Sequence, residues 1–439
     1  MKIMKFGGTS VGSPERMKEV VRLITEDGGQ KFVVLSAMSG TTNDLVEIAD
    51  YIGKHNIESA LNVLTHMRHK YKKHLSELLA TQEKHDAVAQ YVTERFEWLK
   101  RMCGQEMTPQ LQREIVAQGE LISTHMVAGY MEEQGLDAAL LSAFDFMRIN
   151  AHGDPELDTI REGLTATLEK TGRHDIYITQ GFICLNNNGE IDNLKRGGSD
   201  FTASLVGAAL KAEEIQIWTD IDGMHNNDPR FVEGTKPVRH ISFEEAAELA
   251  YFGAKILHPT CIQPARYANV PVRLLNTLDP KAPGTLIDNA TEEIGVKAIA
   301  AKDNITAIKV ISSRMLLASG FLSRIFQVFD EHDTSIDMVT TSEVGVSLTI
   351  DDTTHLDAIL NDLRKLGIVQ VDKDQCIICV VGDMTAEHHG YCAQVLDALK
   401  EQPVRMICYG GSDHNVSVLV SMQQKQWALQ QLSKHIFGN

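Results

Sequence analysis

The chain opens on Met1-Lys2-Ile3-Met4-Lys5-Phe6-Gly7-Gly8-Thr9-Ser10-Val11-Gly12, and no other stretch constrains its fold as strongly. A short apolar run carrying one lysine predicts a strand, and a small-residue loop follows at once. Helical spacing begins just beyond, with Ser13 and Pro14 as start signals and Met17, Val20, Val21 and Ile24 on one face. Strand, glycine loop and helix in that order wrap backbone N–H groups around a phosphate and set a helix N-terminus behind them. A side chain at Gly7 or Gly8 would block close approach of backbone to ligand. The glycine spacing over 7–12 is that of a Walker loop. However, Ser13 stands where that motif needs lysine, and the lysine lies upstream as Lys5. Neither Gly-x-Gly-x-x-Gly nor His-Arg-Asp occurs, so the loop is a phosphate loop of another kind.

From residue 1 to about 285 strand and helix patterns alternate. Strands are predicted at 31–36, 138–143, 175–185 and 215–219, the third entering a turn at Asn187-Asn188-Gly189. A small-polar loop at 37–43 leads into a helix, and the polar stretch 56–103 reads as a helical excursion beside the sheet. Another helix runs from Leu111 through Gly119-Glu120 to Met126, and one more covers 243–252. Such alternation predicts an α/β sheet covered by helices. A Pro/Gly-marked stretch at 279–284 closes this region.

Behind it the pattern shortens and repeats. One copy has strands at 305–311, 336–340 and 344–350 around a helix with Leu322, Ile325, Phe326 and Phe329 inward. The other has strands at 376–381, 404–409 and 416–420 around a helix with Val395, Leu396 and Leu399 inward. Asp337-Met338-Val339 corresponds to Arg405-Met406-Ile407, and Val346-Ser347-Leu348 to Val416-Ser417-Val418. The period of about 70 residues describes two copies of a small βαββα sandwich, which suits a paired effector-binding module.

At 439 residues the chain is long enough for about three domains. A net charge of −17, from 42 basic against 59 acidic residues, argues against nonspecific nucleic-acid or anionic-membrane binding. The chain enters a strand at once, with no apolar leader and no run of membrane-spanning length, so a cytoplasmic location is expected. Cys376-Ile377-Ile378-Cys379 is the one Cys-x-x-Cys among seven cysteines. It lies in an apolar run, and no second pair completes a zinc site, so no metal centre is expected. His66, His69 and His74 fall among lysines and arginines on what reads as a solvated helix face.

Three further clusters share the loop-borne, polar character of the first. Arg196-Gly197-Gly198-Ser199-Asp200 lies between a strand and a helix, and its arginine suits bidentate capture of a carboxylate or phosphate. Thr219-Asp220 follows a strand and leads to Asn227-Asp228-Pro229-Arg230. Gly253-Ala254-Lys255 ends a helix and presents a second lysine. Taken singly, Glu120 also reads as a solvated helical carboxylate, Lys255 as a dipole-compensating cation and Arg196 as a surface ion-pair partner.

In this order the clusters, with Lys5-Phe6-Gly7-Gly8-Thr9-Ser10 and Gln118-Gly119-Glu120, resemble the aspartokinases of the amino acid kinase family. Thr340-Thr341-Ser342-Glu343 in the repeat resembles their ACT signature. The resemblance spans nearly the whole chain and is to the monofunctional, lysine-sensitive type, since no dehydrogenase-like segment follows. It implies a catalytic sandwich over 1–287 with a mainly parallel sheet, and two ferredoxin-like βαββαβ ACT domains over 298–370 and 371–439. It implies transfer of the γ-phosphoryl of ATP, with Mg2+, to the β-carboxylate of L-aspartate, the first step toward lysine, threonine and methionine.

The resemblance also implies roles. Lys5 and Asp200 would be catalytic, and Thr42, Glu120, Arg196 and Ser199 would hold aspartate. Lys5, Gly7, Gly8, Ser10, Thr219, Asp220, His225, Arg230 and Lys255 would hold ATP, His225 standing where the family often has tyrosine. An effector, lysine before threonine, would meet Met315, Phe321, Leu322, Ser335, Ile336, Asp337, Ser342 and Glu343 at an ACT interface in a homodimer. Ala318 replaces the serine frequent in the lysine-sensitive pattern. Sister readings are glutamate 5-kinase or acetylglutamate kinase, and a noncatalytic amino-acid sensor; the tandem repeat disfavours the former, intact Lys5, Arg196, Asp200 and Lys255 the latter.

Overall fold

The computed structural model describes residues 1–195, 197–253, 258–289, 295–315, 319–384 and 389–438. Two compact units emerge: Met1–Met224 with Leu257–Asn289, and His225–Ile256 with Ala290–Asn439. The segment after Met224, counted above within the 1–287 domain, therefore packs with the C-terminal unit. One side-chain and one backbone hydrogen bond tie it there: Asn227 Nδ2 donates to the Leu429 carbonyl at 3.2 Å, and the Ile299 N–H donates to the Asn226 main-chain carbonyl at 2.9 Å.

The first unit is built on a sheet whose strands run, in spatial order, Ala138–Leu140, Ile176–Gln180, Lys31–Leu35, Lys2–Phe6, Glu214–Thr219, Val272–Asn276 and Thr285–Asp288. Every neighbouring pair among these is parallel except the last. Central parallel strands are covered on both faces and so read as continuous apolar runs, which is why Ile3, Phe6, Phe32, Val33, Val34 and Leu35 are fully buried. The chain steps from Lys2–Phe6 to Lys31–Leu35 on one side and reaches Glu214–Thr219 on the other. Strand order thus reverses at Lys2–Phe6, the place where open α/β sheets form a crevice at their carboxyl ends.

The expected helical excursion is two helices, Ile57–Leu78 and Gln82–Met102, followed by the long helix Pro109–Glu133. Thr108 caps the last of these, its hydroxyl accepting from the Leu111 N–H at 3.1 Å, with Pro109 at the first turn. The strand predicted at 175–185 divides into Ile176–Gln180 and Ile183–Leu185, because Phe182 between them takes a left-handed φ of 68°. Ile183–Leu185 then pairs antiparallel with Ile191–Asn193 across the predicted Asn-Asn-Gly turn. The helix Pro259–Ala268 has no counterpart in the sequence reading, being short and carrying Pro264 inside it.

The second unit holds an antiparallel six-stranded sheet in the order Val339–Thr341, Gly345–Ile350, Val296–Ile311, Ile368–Gly382, Asn415–Ser421, Met406–Tyr409. The matched sequence pairs of the repeat are the two outer hairpins of this sheet. Helices Phe321–Glu331 and Leu356–Leu366 cover one half around Ile308, Ile325 and Leu348; Tyr391–Ala398 and Lys425–Phe437 cover the other around Ile378, Val395 and Val418. The central strands are 16 and 15 residues long and run through both halves, kinking at a register shift near Lys302. The boundary expected at 370/371 therefore falls inside one continuous strand. Cys376 faces the helix side with Ile378 and Val380; Cys379, an odd number of residues on, faces the other side. Burial pushes both thiols up, so they behave as small hydrophobes.

Beside the register shift, Lys302 Nζ lies 2.6 Å from Asp337 Oδ1 and 2.9 Å from Asp351 Oδ2, and it sits over the Tyr251 ring. Asp337 is nearly sealed from solvent, its side chain 1% exposed. Burial raises its pKa, and Lys302 opposes that shift. Removing the cation alone strands a buried carboxylate, so Lys302→Met is expected to destabilise the second unit by about 3 kcal/mol. Urea unfolding followed by circular dichroism measures this; the double change Lys302→Met with Asp337→Leu should recover most of the loss.

Candidate active site

The loops leaving Lys2–Phe6 and Lys31–Leu35 lie against each other at the crevice. The Ser39 N–H donates to the Gly8 carbonyl at 3.0 Å, and a Cβ on Gly8 would stand 2.9 Å from the Ala37 carbonyl oxygen. From the other side the helix Pro109–Glu133 presses on the same residue, where a Cβ on Gly119 would come within 2.8 Å of Ala37 Cβ. Ser123 Oγ fixes that helix by donating to the Ser36 carbonyl at 2.8 Å. Only side-chain-free positions let three backbones meet here.

The result is a cavity of about 490 Å3 lined by Lys5, Gly8, Thr42, Glu120, Ser199 and Asp200 of the predicted set. Ser36, Asn43, Phe182 and Lys195 line it too. Lys5 Nζ lies 2.6 Å from Asp200 Oδ1 in the first turn of the helix Gly198–Leu210. The two atoms are close but poorly aligned, so Oδ1 lacks a well-formed hydrogen bond. The N–H groups of Gly8 and Thr9 make no hydrogen bond among the described residues and are available to an anion. Ser10 points away: its N–H donates to the Gly7 carbonyl at 3.0 Å, and its hydroxyl meets Thr277 Oγ1 at 3.4 Å. Thr277 in turn donates through both N–H and hydroxyl to the Thr219 carbonyl, tying the loop to the end of the strand Glu214–Thr219. Asp220, just beyond, is exposed and accepts from the Thr219 hydroxyl at 3.2 Å.

Glu120 is the electrostatic anomaly of the cavity. It is 3% exposed, Oε1 accepts a long 3.3 Å hydrogen bond from the Ala37 N–H, and Oε2 has no partner. Burial pushes its carboxyl up to about 8, and the Ala37 bond opposes this only in part. The cleft thus holds a neutralised cation at Lys5 and, a helix away, a buried carboxyl that a cationic group would complete.

The remaining predicted residues lie elsewhere. Gly7 sits beside Lys5, where a Cβ would be 3.4 Å from Nζ. His225 and Arg230 belong to the second unit. There His225 Nδ1 lies 3.0 Å from Thr235 Oγ1, and Arg230 grips Asp228 through Nε (2.9 Å) and Nη2 (2.6 Å). Arg196 and Lys255 lie outside the described residues, as does Ala318. Among the effector positions, Phe321 is buried, Met315 and Ile336 pack with it, and Leu322, Ser335 and Glu343 are exposed. Ser342 closes a turn on Gly345, its N–H 2.8 Å from that carbonyl. Asp337 turns to Lys302 and to the Tyr251 hydroxyl at 2.8 Å. Sequence reasoning missed Phe182 and Lys195; both have left-handed backbones (φ 68° and 48°), for which their side chains give no signal.

Glu120 makes stability depend on pH with a definite sign. Its folded value lies above that of an exposed glutamate, so the folded chain holds the proton where the unfolded chain has lost it. Stability contributed by this group is present below about pH 4.5 and declines as pH rises toward 8, by up to about 1.4 kcal/mol per pH unit. Urea midpoints between pH 5 and 8 should show this decline in the wild type and a flatter profile in Glu120→Gln.

Residues 1–276 match the model of the amino acid kinase family, and 378–436 match an ACT domain. The chain is 33% identical to the lysine-sensitive aspartokinase 3 of Escherichia coli over 447 residues, covering 99% of each. Its fold is similar to crystal structures of the E. coli aspartokinase III with aspartate and ADP (TM-score 0.84, 33% identity, all of both chains) and with lysine and aspartate (TM-score 0.81, 33% identity, 100% of this chain and 99% of that one).

Proposed function

This chain belongs to the amino acid kinase family and, within it, to the aspartokinases; on that premise we propose how its cleft phosphorylates L-aspartate. The reaction moves the γ-phosphoryl of ATP to the β-carboxylate, giving 4-phospho-L-aspartate, and lysine restrains it through the ACT modules. The observation that carries the residue-level reading is the pairing within one cavity of Lys5–Asp200 with the partnerless oxygen of Glu120.

Aspartate's side-chain carboxylate has an ordinary pKa of about 3.9, so it attacks phosphorus without a general base. The difficulty is one anion approaching another and the charge that spreads over the transferred group. Lys5, the free N–H groups of Gly8 and Thr9, and the N-terminus of the helix Gly198–Leu210 supply positive potential there. Asp200 holds the Lys5 ammonium in place and takes no proton. Glu120 receives the α-ammonium, Thr42 and Ser199 close the pocket, and Arg196 takes the α-carboxylate. Thr219, Asp220, His225, Arg230 and Lys255 serve the nucleotide. Magnesium, which prefers oxygen ligands, would rest on the phosphates with Asp200 as the cleft carboxylate able to assist; it supplies charge neutralisation.

For the effector, Met315, Phe321 and Ile336 offer an apolar wall, with Leu322, Ser335, Ser342 and Glu343 around it. An ammonium reaching Asp337 meets a carboxylate whose Oδ1 is held by Lys302 and Tyr251 and whose Oδ2 is unpartnered. A cytoplasmic homodimer joined through the ACT modules completes the reading.

Trapping acyl phosphate as hydroxamate from ATP, magnesium and L-aspartate tests the activity. Product that lysine suppresses is expected; product with glutamate or acetylglutamate alone would move the chain to a sister kinase. Lys5→Ala should lower turnover at least 100-fold while leaving the fold and lysine binding intact. At pH 7 aspartate binding should release close to one proton as Glu120 ionises beside the ammonium. Calorimetry in buffers of different ionisation enthalpy reads that release, which Glu120→Gln should abolish.

A further inference from the structure

Lys195 has no role in the reading above, yet its position is unusual in three respects. It lines the 490 Å3 cleft and also an adjoining cavity of about 610 Å3, whose wall includes Arg113, Asn150, His152 and Asn193. Thr42 and Phe182 are shared by the two cavities as well, so Lys195 stands on the partition between them. Its backbone φ is 48°, a conformation lysine adopts rarely and glycine freely. Across the partition its ammonium leans on the Gly153 turn, where a Cβ would lie 3.7 Å from Nζ, and it makes no ion pair or hydrogen bond among the described residues.

The contrast with Lys5 is informative. Lys5 is neutralised by Asp200, whereas Lys195 places an uncompensated cation at the edge of the same cleft. The chain carries a net charge of −17, so an anionic substrate approaches against the overall field. Lys195 is exposed at the shared rim of the two cavities, and a cation placed there reverses that field locally where the substrate enters. The strained backbone aims the side chain across the gap, and the Leu194 N–H bond to the Phe182 carbonyl at 2.8 Å helps hold it so.

We propose that Lys195 is a recruiting and positioning residue for the acidic amino-acid substrate, with the adjoining cavity as its approach. The ammonium captures a carboxylate at the partition, and the substrate then passes to Glu120 and Lys5. This rests on the aspartate kinase reading and adds to it a residue outside the reacting atoms.

Steady-state kinetics of the full-length wild type, Lys195→Met, Lys195→Arg and Lys195→Gly, at 20 to 300 mM salt (roughly 21 to 5.5 Å Debye length), test it. Lys195→Met should raise KM for aspartate roughly five- to tenfold and flatten the salt dependence of kcat/KM. It should change kcat and KM for ATP less than about twofold. Lys195→Arg should retain wild-type behaviour. Lys195→Gly should match the methionine variant in KM while its Tm is equal to the wild type's or higher, since glycine fits the left-handed backbone. Unchanged KM and salt dependence in both Met and Gly variants would overturn the inference alone, as would a loss confined to kcat. A wild type that makes no aspartyl phosphate would overturn the kinase reading and this inference with it.

Discussion

Everything in the catalytic unit depends on how tightly three stretches of backbone close around Ala37. The glycine loop presses on its carbonyl from one side, and the helix Pro109–Glu133 presses on its methyl group from the other. That wedge brings a strand-borne lysine, a loop of free N–H donors and a helix-borne glutamate into one cavity, although they come from positions 5, 8 and 120 of the chain. It also explains the electrostatics. A helix held this close carries Glu120 out of water with only a long bond from the Ala37 N–H to compensate. The packing constraint and the perturbed carboxyl are one fact seen at two levels.

Much of this could be read in the residues beforehand, and for identifiable reasons. The opening strand, loop and helix declare themselves because apolar run, glycine pair and capped helix each agree with the same local structure. Glu120 sits in a helix whose periodicity is plain. The two-copy regulatory repeat is legible because corresponding hairpins keep matching short sequences. What escaped is what depends on tertiary closure. The assignment of the segment after Met224 to the second unit rests on one asparagine side-chain bond and one main-chain bond, neither of which carries a periodic signal. Phe182 splits a run of good strand formers by adopting a backbone conformation foreign to its residue type. The perturbation of Glu120 arises from burial by residues remote in sequence, and nothing local announces it.

Charge in the cleft is arranged by separation. Lys5 and Asp200 form a compact, nearly neutral pair within it. Glu120, its carboxyl raised to about 8 by burial, keeps one oxygen without a partner among the described residues. In the second unit the same chemistry is resolved internally: Asp337 is equally buried, but the chain supplies its own ammonium from Lys302. Among the described residues Glu120 has no cation of the chain beside it, whereas Asp337 has Lys302 on one oxygen and keeps Oδ2 unpartnered.

The two long strands of the regulatory sheet have a consequence for how such a module can change over time. Val296–Ile311 and Ile368–Gly382 each belong to both halves, each half borrowing a segment that the other also needs. Removing either half would leave the other with a raw sheet edge. The two halves form one sheet, and a ligand that stiffens one end stiffens the shared spars of the other.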